Sequence, residues 1–211
     1  MGTSYAEQIP QIIHVVQQLR PRRVLDVGKG FGKYGLLLHE FAGLDTSKRV
    51  EPSLPLKMQS SLTIDAVEID SDLILPHLDQ LYSEVFFGDV TEIQNRLPRY
   101  DLILMVDVIE HIAKPKGEKL LREWIRRGEA VLISTPISFF RQHLFQSPHE
   151  EHVSYWCTRD FRQIGHTIVQ YVGPSALFLI SPQPINIRGF GNGLMHRLRR
   201  CARFIRNETR W

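Results

Sequence analysis

Five short apolar stretches, each giving way to a turn or a helical pattern, limit the fold of this chain more than any other feature. They are 23–28 (RVLDVG), 63–70 (TIDAVEID), 84–89 (EVFFGD), 100–111 (YDLILMVDVIEH) and 129–136 (EAVLISTP). Helical spacing precedes the first, where Ile9, Ile12, Ile13, Val16 and Leu19 recur until Pro21. It returns at 33–41, at 71–82 behind a Ser71 or Asp72 cap, at 91–97 behind Thr91, at 117–127 and at 158–165. Pro76 falls early in the 71–82 segment, where a helix tolerates it best. Residues 43–62 hold two prolines and several serines without a period and read as a long loop or insertion.

Strands alternating with helices at this spacing imply a parallel, doubly wound sheet. The strands are apolar on both sides, as in a sheet covered on both faces. The last two runs, 167–172 and 175–181, differ because only Gly173 and Pro174 separate them. So short a link permits antiparallel pairing alone. The expected fold is therefore α/β, a doubly wound, mostly parallel seven-stranded sheet with a closing antiparallel hairpin.

Ligands bind such sheets beyond the carboxyl ends of their strands. There, at the end of the first strand, lies Asp26-Val-Gly28-Lys-Gly30-Phe-Gly32. Glycines serve where the backbone takes unusual angles and a ligand comes close. Gly30, Gly32 and Gly35 also satisfy the dinucleotide pattern G-x-G-x-x-G, but that reading leaves Gly28 without a role. Acids end three more strands: Glu68 with Asp70 as its rival, Asp89 behind Gly88, and Asp107. Any one acid here can equally cap the following helix.

Taken together, these residues and the closing hairpin resemble the class I S-adenosylmethionine-dependent methyltransferases over roughly residues 5–182. The resemblance implies that S-adenosylmethionine binds and S-adenosylhomocysteine is released. In that family the turn of Gly28, Gly30 and Gly32, with Asp26, makes room for the methionine portion. Glu68 would take the ribose hydroxyls, Asp89 the adenine amino group, and Asp107 would stand beside the methionine portion. Lys29 departs from the family's usual small residue or cysteine, and its stem is expected to carry the charge outward.

Asp107-Val-Ile-Glu110-His111 places polar residues where an acceptor would meet the methyl group. Histidine is the common general base near neutral pH. The pattern is also similar to the Glu-x-x-Glu-His group of metal-dependent O-methyltransferases, among them RNA 2′-O-methyltransferases. Because the same pattern is widespread in the superfamily without a metal, a divalent ion is the lesser expectation. A polar and aromatic segment after the fifth strand holds His149, Glu150, Glu151, His152, Tyr155 and Trp156. It suits an acceptor site. Trp156 can equally pack that segment onto the core, and His152 would align with a metal histidine of the RNA enzymes. Glu110, His111 and His152 are the expected catalytic residues.

The net charge of +3 conceals an asymmetry. Residues 188–211 carry seven arginines against Glu208 alone, so the first 187 residues sum to −3. Two regions are expected: a methyltransferase domain at 1–187 and a basic amphipathic tail at 188–211. Leu194, Leu198, Cys201 and Ile205 share one helical face of that tail. The tail could pack on the body, pair in a homodimer, lie on acidic lipid or contact RNA. No apolar run approaches the ~20 residues of a membrane span. The N-terminus carries no secretory pattern, and two cysteines are too few for a disulfide framework. A cytoplasmic location is expected. The expected activity is methyl transfer, most readily to oxygen, on a small-molecule or glycan-like acceptor. A metal-dependent RNA enzyme and a catalytically silent fold-mate that binds the cofactor are the alternatives, with a dehydrogenase more distant.

Overall fold

Every residue of the central strand β4 (Leu102–Val106) is buried, and its side chains alternate between two cores. Leu102, Leu104 and Val106 join one and Ile103 and Met105 the other, as the two-residue period of a strand requires. Both faces are covered, which explains why the sequence there is apolar without alternation. The computed structural model describes residues 4–45, 47, 50–138 and 150–191.

The seven strands are β1 (Arg23–Val27), β2 (Thr63–Glu68), β3 (Val85–Phe87), β4, β5 (Ala130–Pro136), β6 (His166–Val172) and β7 (Ser175–Ser181). Their order is β3-β2-β1-β4-β5-β7-β6. The first five pair in parallel, whereas β7 pairs antiparallel with both β5 and β6. Six strands thus run one way and β7 alone runs against them. This is the sheet expected from the sequence, and Val172 pairs with Ser175 across the two-residue turn.

Helix α1 (Ile9–Leu19) starts with proline in its first turn and buries Ile12, Ile13, Val15 and Val16 against the first core. On the opposite face, α6 (Lys114–Arg126) buries Leu120, Leu121 and Trp124. Ile187 and Phe190 are buried on the α1 side, so packing of the body continues three residues past the boundary expected at 187. Arg188 is held there by hydrogen bonds with His14 and Gln18. The rest of the arginine-rich tail, from 192, lies outside the described residues, as does His149.

Three local expectations are corrected. The segment 71–82 is helical only at α4 (Leu78–Leu81). Pro76 lacks an N–H and disfavours a helical Leu75 before it, and the preceding residues are tied instead to the β1 turn. Thr91 does not cap the helix after β3. Asp89 does, its side chain accepting the Thr91 N–H at the start of α5 (Val90–Ile93). The 43–62 segment is not all loop: it contains α3 (Leu56–Gln59) and a bridge between Leu44 and Ser60. Helices α2 (Lys33–Leu38) and α7 (Thr158–Arg162) complete the set used below.

Candidate active site

The strand order reverses between β1 and β4, and sheets of this kind bind ligands beyond the carboxyl ends of the strands at such a reversal. Gly28 follows β1 directly, with φ 73°, and its N–H donates to Val67 O. A Cβ on Gly28 would lie 2.6 Å from Val108 Cγ2, and one on Gly32, φ 85°, would lie 2.8 Å from Leu78 Cδ2. Both positions demand glycine because the chain folds tightly on itself and because L side chains rarely adopt that backbone. Gly30 also has a positive φ.

Glu68, at the end of β2, clamps this turn. Its Oε2 accepts the Gly30 N–H at 3.1 Å, and its Oε1 accepts the N–H groups of Ile69 and Asp70 at 2.9 and 3.2 Å. A carboxylate has about four acceptor sites, so three of them organise the backbone and one is left for a ligand hydroxyl. Its rival Asp70 is exposed. Asp89 spends one oxygen on the α5 cap.

Asp26 is buried beneath the turn, where Tyr82 Oη donates to it at 2.6 Å. Burial pushes its pKa up to about 6, against the opposing effect of the Tyr82 bond. The sign for stability follows. Between about pH 4 and 6 the unfolded chain gives up this proton while the folded chain keeps it, so stability falls as pH rises through that window and is flat above it. The loss is at most ~3 kcal/mol. Asp26→Asn should flatten this contribution, so melting curves of the two chains from pH 4 to 6.5 should converge as pH falls. Parallel curves would show that Asp26 titrates normally.

Lys29 reverses expectation. It is 3% exposed, and its Nζ donates to Leu73 O at 2.9 Å and lies 5.7 Å from the centre of the Phe87 ring. Burial lowers its pKa, while Glu68, Asp26 and Asp70 favour its charge. Those three acids explain why the cation turns inward. With the bond between His77 Nε2 and Phe31 O, Lys29 straps residues 69–77 across the glycine turn.

Next to the glycine turn in the sheet order, Asp107 follows β4 with φ 56°, a left-handed conformation uncommon outside glycine. Its carboxylate accepts from Ser134 Oγ and, at 3.4 Å to each oxygen, from Gln8 Nε2. Burial raises its pKa. Three residues on, Glu110 is 2% exposed and neither carboxylate oxygen has a hydrogen-bond partner. Thr135 stands beside it and opposes the rise in its pKa. Burial, followed by repulsion from Asp107, pushes the Glu110 pKa up to about 8.

Two histidines face that carboxyl. His111 Nδ1 lies 3.0 Å from Glu151 O, and a carbonyl only accepts, so Nδ1 carries the proton and Nε2 presents its lone pair. Burial lowers the His111 pKa, which keeps the ring neutral near pH 7. His152 packs edge-on against it, with ring centres 5.0 Å apart. One ligand atom from each of Glu110, His111 and His152 lies within 4.8 Å of the others. The 150–156 segment reaches this place because Val153 N and Ser154 N both donate to Glu110 O. Trp156 serves the packing of that segment: it is buried, and its Nε1 donates to Ile109 O and Ser154 Oγ.

The structure thus gathers Asp26, the three glycines and Glu68 at the ends of β1 and β2, and Asp107, Glu110, His111 and His152 at the neighbouring end of β4. Sequence reading missed Gln8, Tyr82 and Ser134. Two hydroxyls, Ser134 and Thr135, in an otherwise apolar strand were a usable signal; Gln8 and Tyr82 carried none.

No family model and no curated protein matches the chain. Solved structures do. The methyltransferase domain of bacterial CtHen1 is 19% identical, with TM-score 0.55, over 83% of this chain and 97% of its own. The N-terminal domain of EvdMO1, solved in the presence of SAH and D-fucose, is 14% identical, with TM-score 0.57, over 87% of this chain and 86% of its own. The PH0226 protein from Pyrococcus horikoshii OT3 is 14% identical, with TM-score 0.56, over 84% and 89%. What these proteins share with the chain is the fold.

Proposed function

From a chain that has the fold of the class I methyltransferases, we propose an S-adenosylmethionine-dependent methyltransferase acting on an oxygen of a small-molecule or glycan-like acceptor. The observation that carries it is the set of side chains gathered at the strand reversal. A glycine turn clamped by Glu68 stands at the strand end next to Asp107, and His111, kept neutral near pH 7 by burial, lies near Asp107. The one acceptor site that Glu68 does not spend on the backbone fits a ribose hydroxyl. A neighbour of the same fold solved with SAH and D-fucose supports both the cofactor and a sugar-like acceptor. Bound S-adenosylmethionine supplies an electrophilic methyl group. The chain's share is to hold the acceptor oxygen in line and to accept its proton on His111 Nε2 or on His152. Asp89 would face the adenine from its helix cap. Calorimetry should find that S-adenosylhomocysteine binds and that NAD does not. Tighter binding of NAD would overturn this reading.

A second reading concerns a divalent metal. The Glu110 carboxyl, buried without a hydrogen bond and facing two histidines, has the donor set of such a site. With Glu110, His111 and His152 as ligands, a metal would lower the pKa of an acceptor hydroxyl. Methyl transfer should then disappear in chelator and return with added divalent ion. Full activity in chelator would leave the histidines as bases alone. Among the described residues no helix is long and apolar enough to cross a membrane.

A further inference from the structure

The amino ends of the parallel strands form the edge of the sheet opposite the glycine turn, about 17 Å away by the length of β1. Strand register sets the loops before β2, β1 and β4 side by side, Arg23 pairing with Thr63 and Val24 with Leu102. Hydrogen bonds lock these loops together: Thr63 N–H donates to Arg22 O, and Asp101 N–H to Arg23 O.

Four arginines gather there. Arg20 and Arg22 precede β1, and Arg96 and Arg99 precede β4. All four are exposed, and among the described residues their side chains make no hydrogen bond or ion pair. Their neighbours differ, since Arg23 is paired with Asp65, Arg126 with Glu123 and Arg127 with Glu129. Arg127 also donates to the carbonyls of Gln94, Leu97 and Pro98, which fixes the loop carrying Arg96 and Arg99. Asp101, the acid between the two pairs, spends Oδ2 on the N–H groups of Arg22 and Arg23. Arg20 ends α1 with φ 48°, a left-handed position usually given to glycine.

Beside the arginines, on the β2 side, the chain bares apolar side chains. Phe41, Val50, Leu54 and Met58 are between 42% and 69% exposed. Val50 and Met58 line one depression with Ala42 and Leu44, so the apolar surface is continuous there. The loop is built: Gln59 accepts the Glu51 N–H and donates to the carbonyls of Glu51 and Leu54. Gln17 donates to Phe41 O and ties this surface to α1. Asp45 and Glu51 in the same loop accept from Ser47 and Ser53, so the basic charge is concentrated over β1 and β4. Single apolar residues on a surface need no explanation, but a patch of them does.

We propose that this edge is the face on which the protein lies against an acidic lipid bilayer. The arginines meet the anionic headgroups, and the apolar side chains enter the boundary with the acyl chains. Those two attractions together hold a peripheral protein at such a surface. Nucleic acid would engage the arginines through its phosphates but leave the aliphatic side chains in water. A twofold dimer would cover the apolar patch but bring the unpaired arginines of two copies together. Asp107 and the glycine turn then stand at the far edge, on the aqueous side.

The test is flotation of the full chain with phosphatidylcholine vesicles, with and without about one-third phosphatidylserine. The parent chain should float with the acidic vesicles alone and be released as salt rises. Arg22→Gln with Arg99→Gln should weaken binding about 10- to 30-fold, each basic side chain at such a surface being worth about fivefold. Arg22→Lys with Arg99→Lys should bind as the parent does, because the charge is kept. Leu54→Ser with Met58→Ser should weaken binding on the order of 10-fold. Both pairs are exposed, so each variant should melt as the parent does. Vesicle binding that is absent in the parent, or unchanged in either the glutamine or the serine variant, overturns the proposal. Two further controls identify the rival. Single-stranded RNA that binds the parent but not the glutamine variant, with vesicle binding intact in the serine variant, would mark a nucleic-acid surface. A dimer in sedimentation that the serine variant dissolves, with no vesicle bound by the parent, would mark a contact between copies. Either result overturns the lipid assignment, and neither touches the cofactor reading.

Discussion

Glu110→Met is expected to raise the thermal stability of the metal-free chain and, in the same variant, to abolish methyl transfer. The carboxyl is 2% exposed, has no hydrogen-bond partner and holds its proton up to about pH 8. Removing such a group in favour of an apolar one of similar size recovers roughly 1–3 kcal/mol of desolvation. In a domain of this size that is a gain of about 2–10 °C in Tm. If Glu110 holds a divalent ion as in the second reading above, activity should fall at least ~100-fold, since even the partners that merely orient metal ligands are worth about 10- to 100-fold. Melting in chelator and then in excess divalent ion separates the roles. The parent chain should gain stability with the ion, and the variant should not. A variant that melts below its parent in chelator would mean that Glu110 is a structural acid with a partner in solution.

Glu68→Ala should weaken S-adenosylhomocysteine by about 10- to 150-fold, which is the worth of a charge-assisted hydrogen bond. The structure adds a second consequence. Three backbone N–H groups, of Gly30, Ile69 and Asp70, lose their common acceptor. Both the glycine turn and the 69–77 strap should therefore exchange amide hydrogens faster even without a ligand. Glu68→Gln keeps an oxygen for one of these donors and should fall between the two. Unchanged affinity in Glu68→Ala would remove Glu68 from the cofactor site and leave it only the turn.

Much of this was legible before any coordinates. The strands announced themselves as apolar runs, the hairpin by a two-residue link, and the ligand end of β1 by glycines two residues apart. Each signal is complete within a few residues. Lys29 was misread because a lysine in a turn normally carries its charge to water. Here Leu73 O, 44 residues later, and the buried acids Asp26 and Glu68 draw it in. The 71–82 helix was overextended for the same reason: Lys29 and His77 bind its first half to the glycine turn. Asp89 ends its strand as the other acids do, and the structure gives it a helix cap.

The sequence by itself determined the grammar of strands, turns and helices and the residue types at the strand ends, because hydrophobic period and turn chemistry act between near neighbours. Which polar groups meet was decided only in the tertiary structure. Gln8 finds Asp107 across 99 residues, and the 150–156 segment reaches Glu110 through main-chain hydrogen bonds that leave no mark on side-chain pattern. Both meetings depend on the order β2-β1-β4-β5, which sets residues remote in the chain side by side at the carboxyl ends of the central strands. The donors each carboxyl meets then decide its use: Glu68 clamps the turn through three backbone N–H groups, and Glu110, buried without a donor, holds its proton.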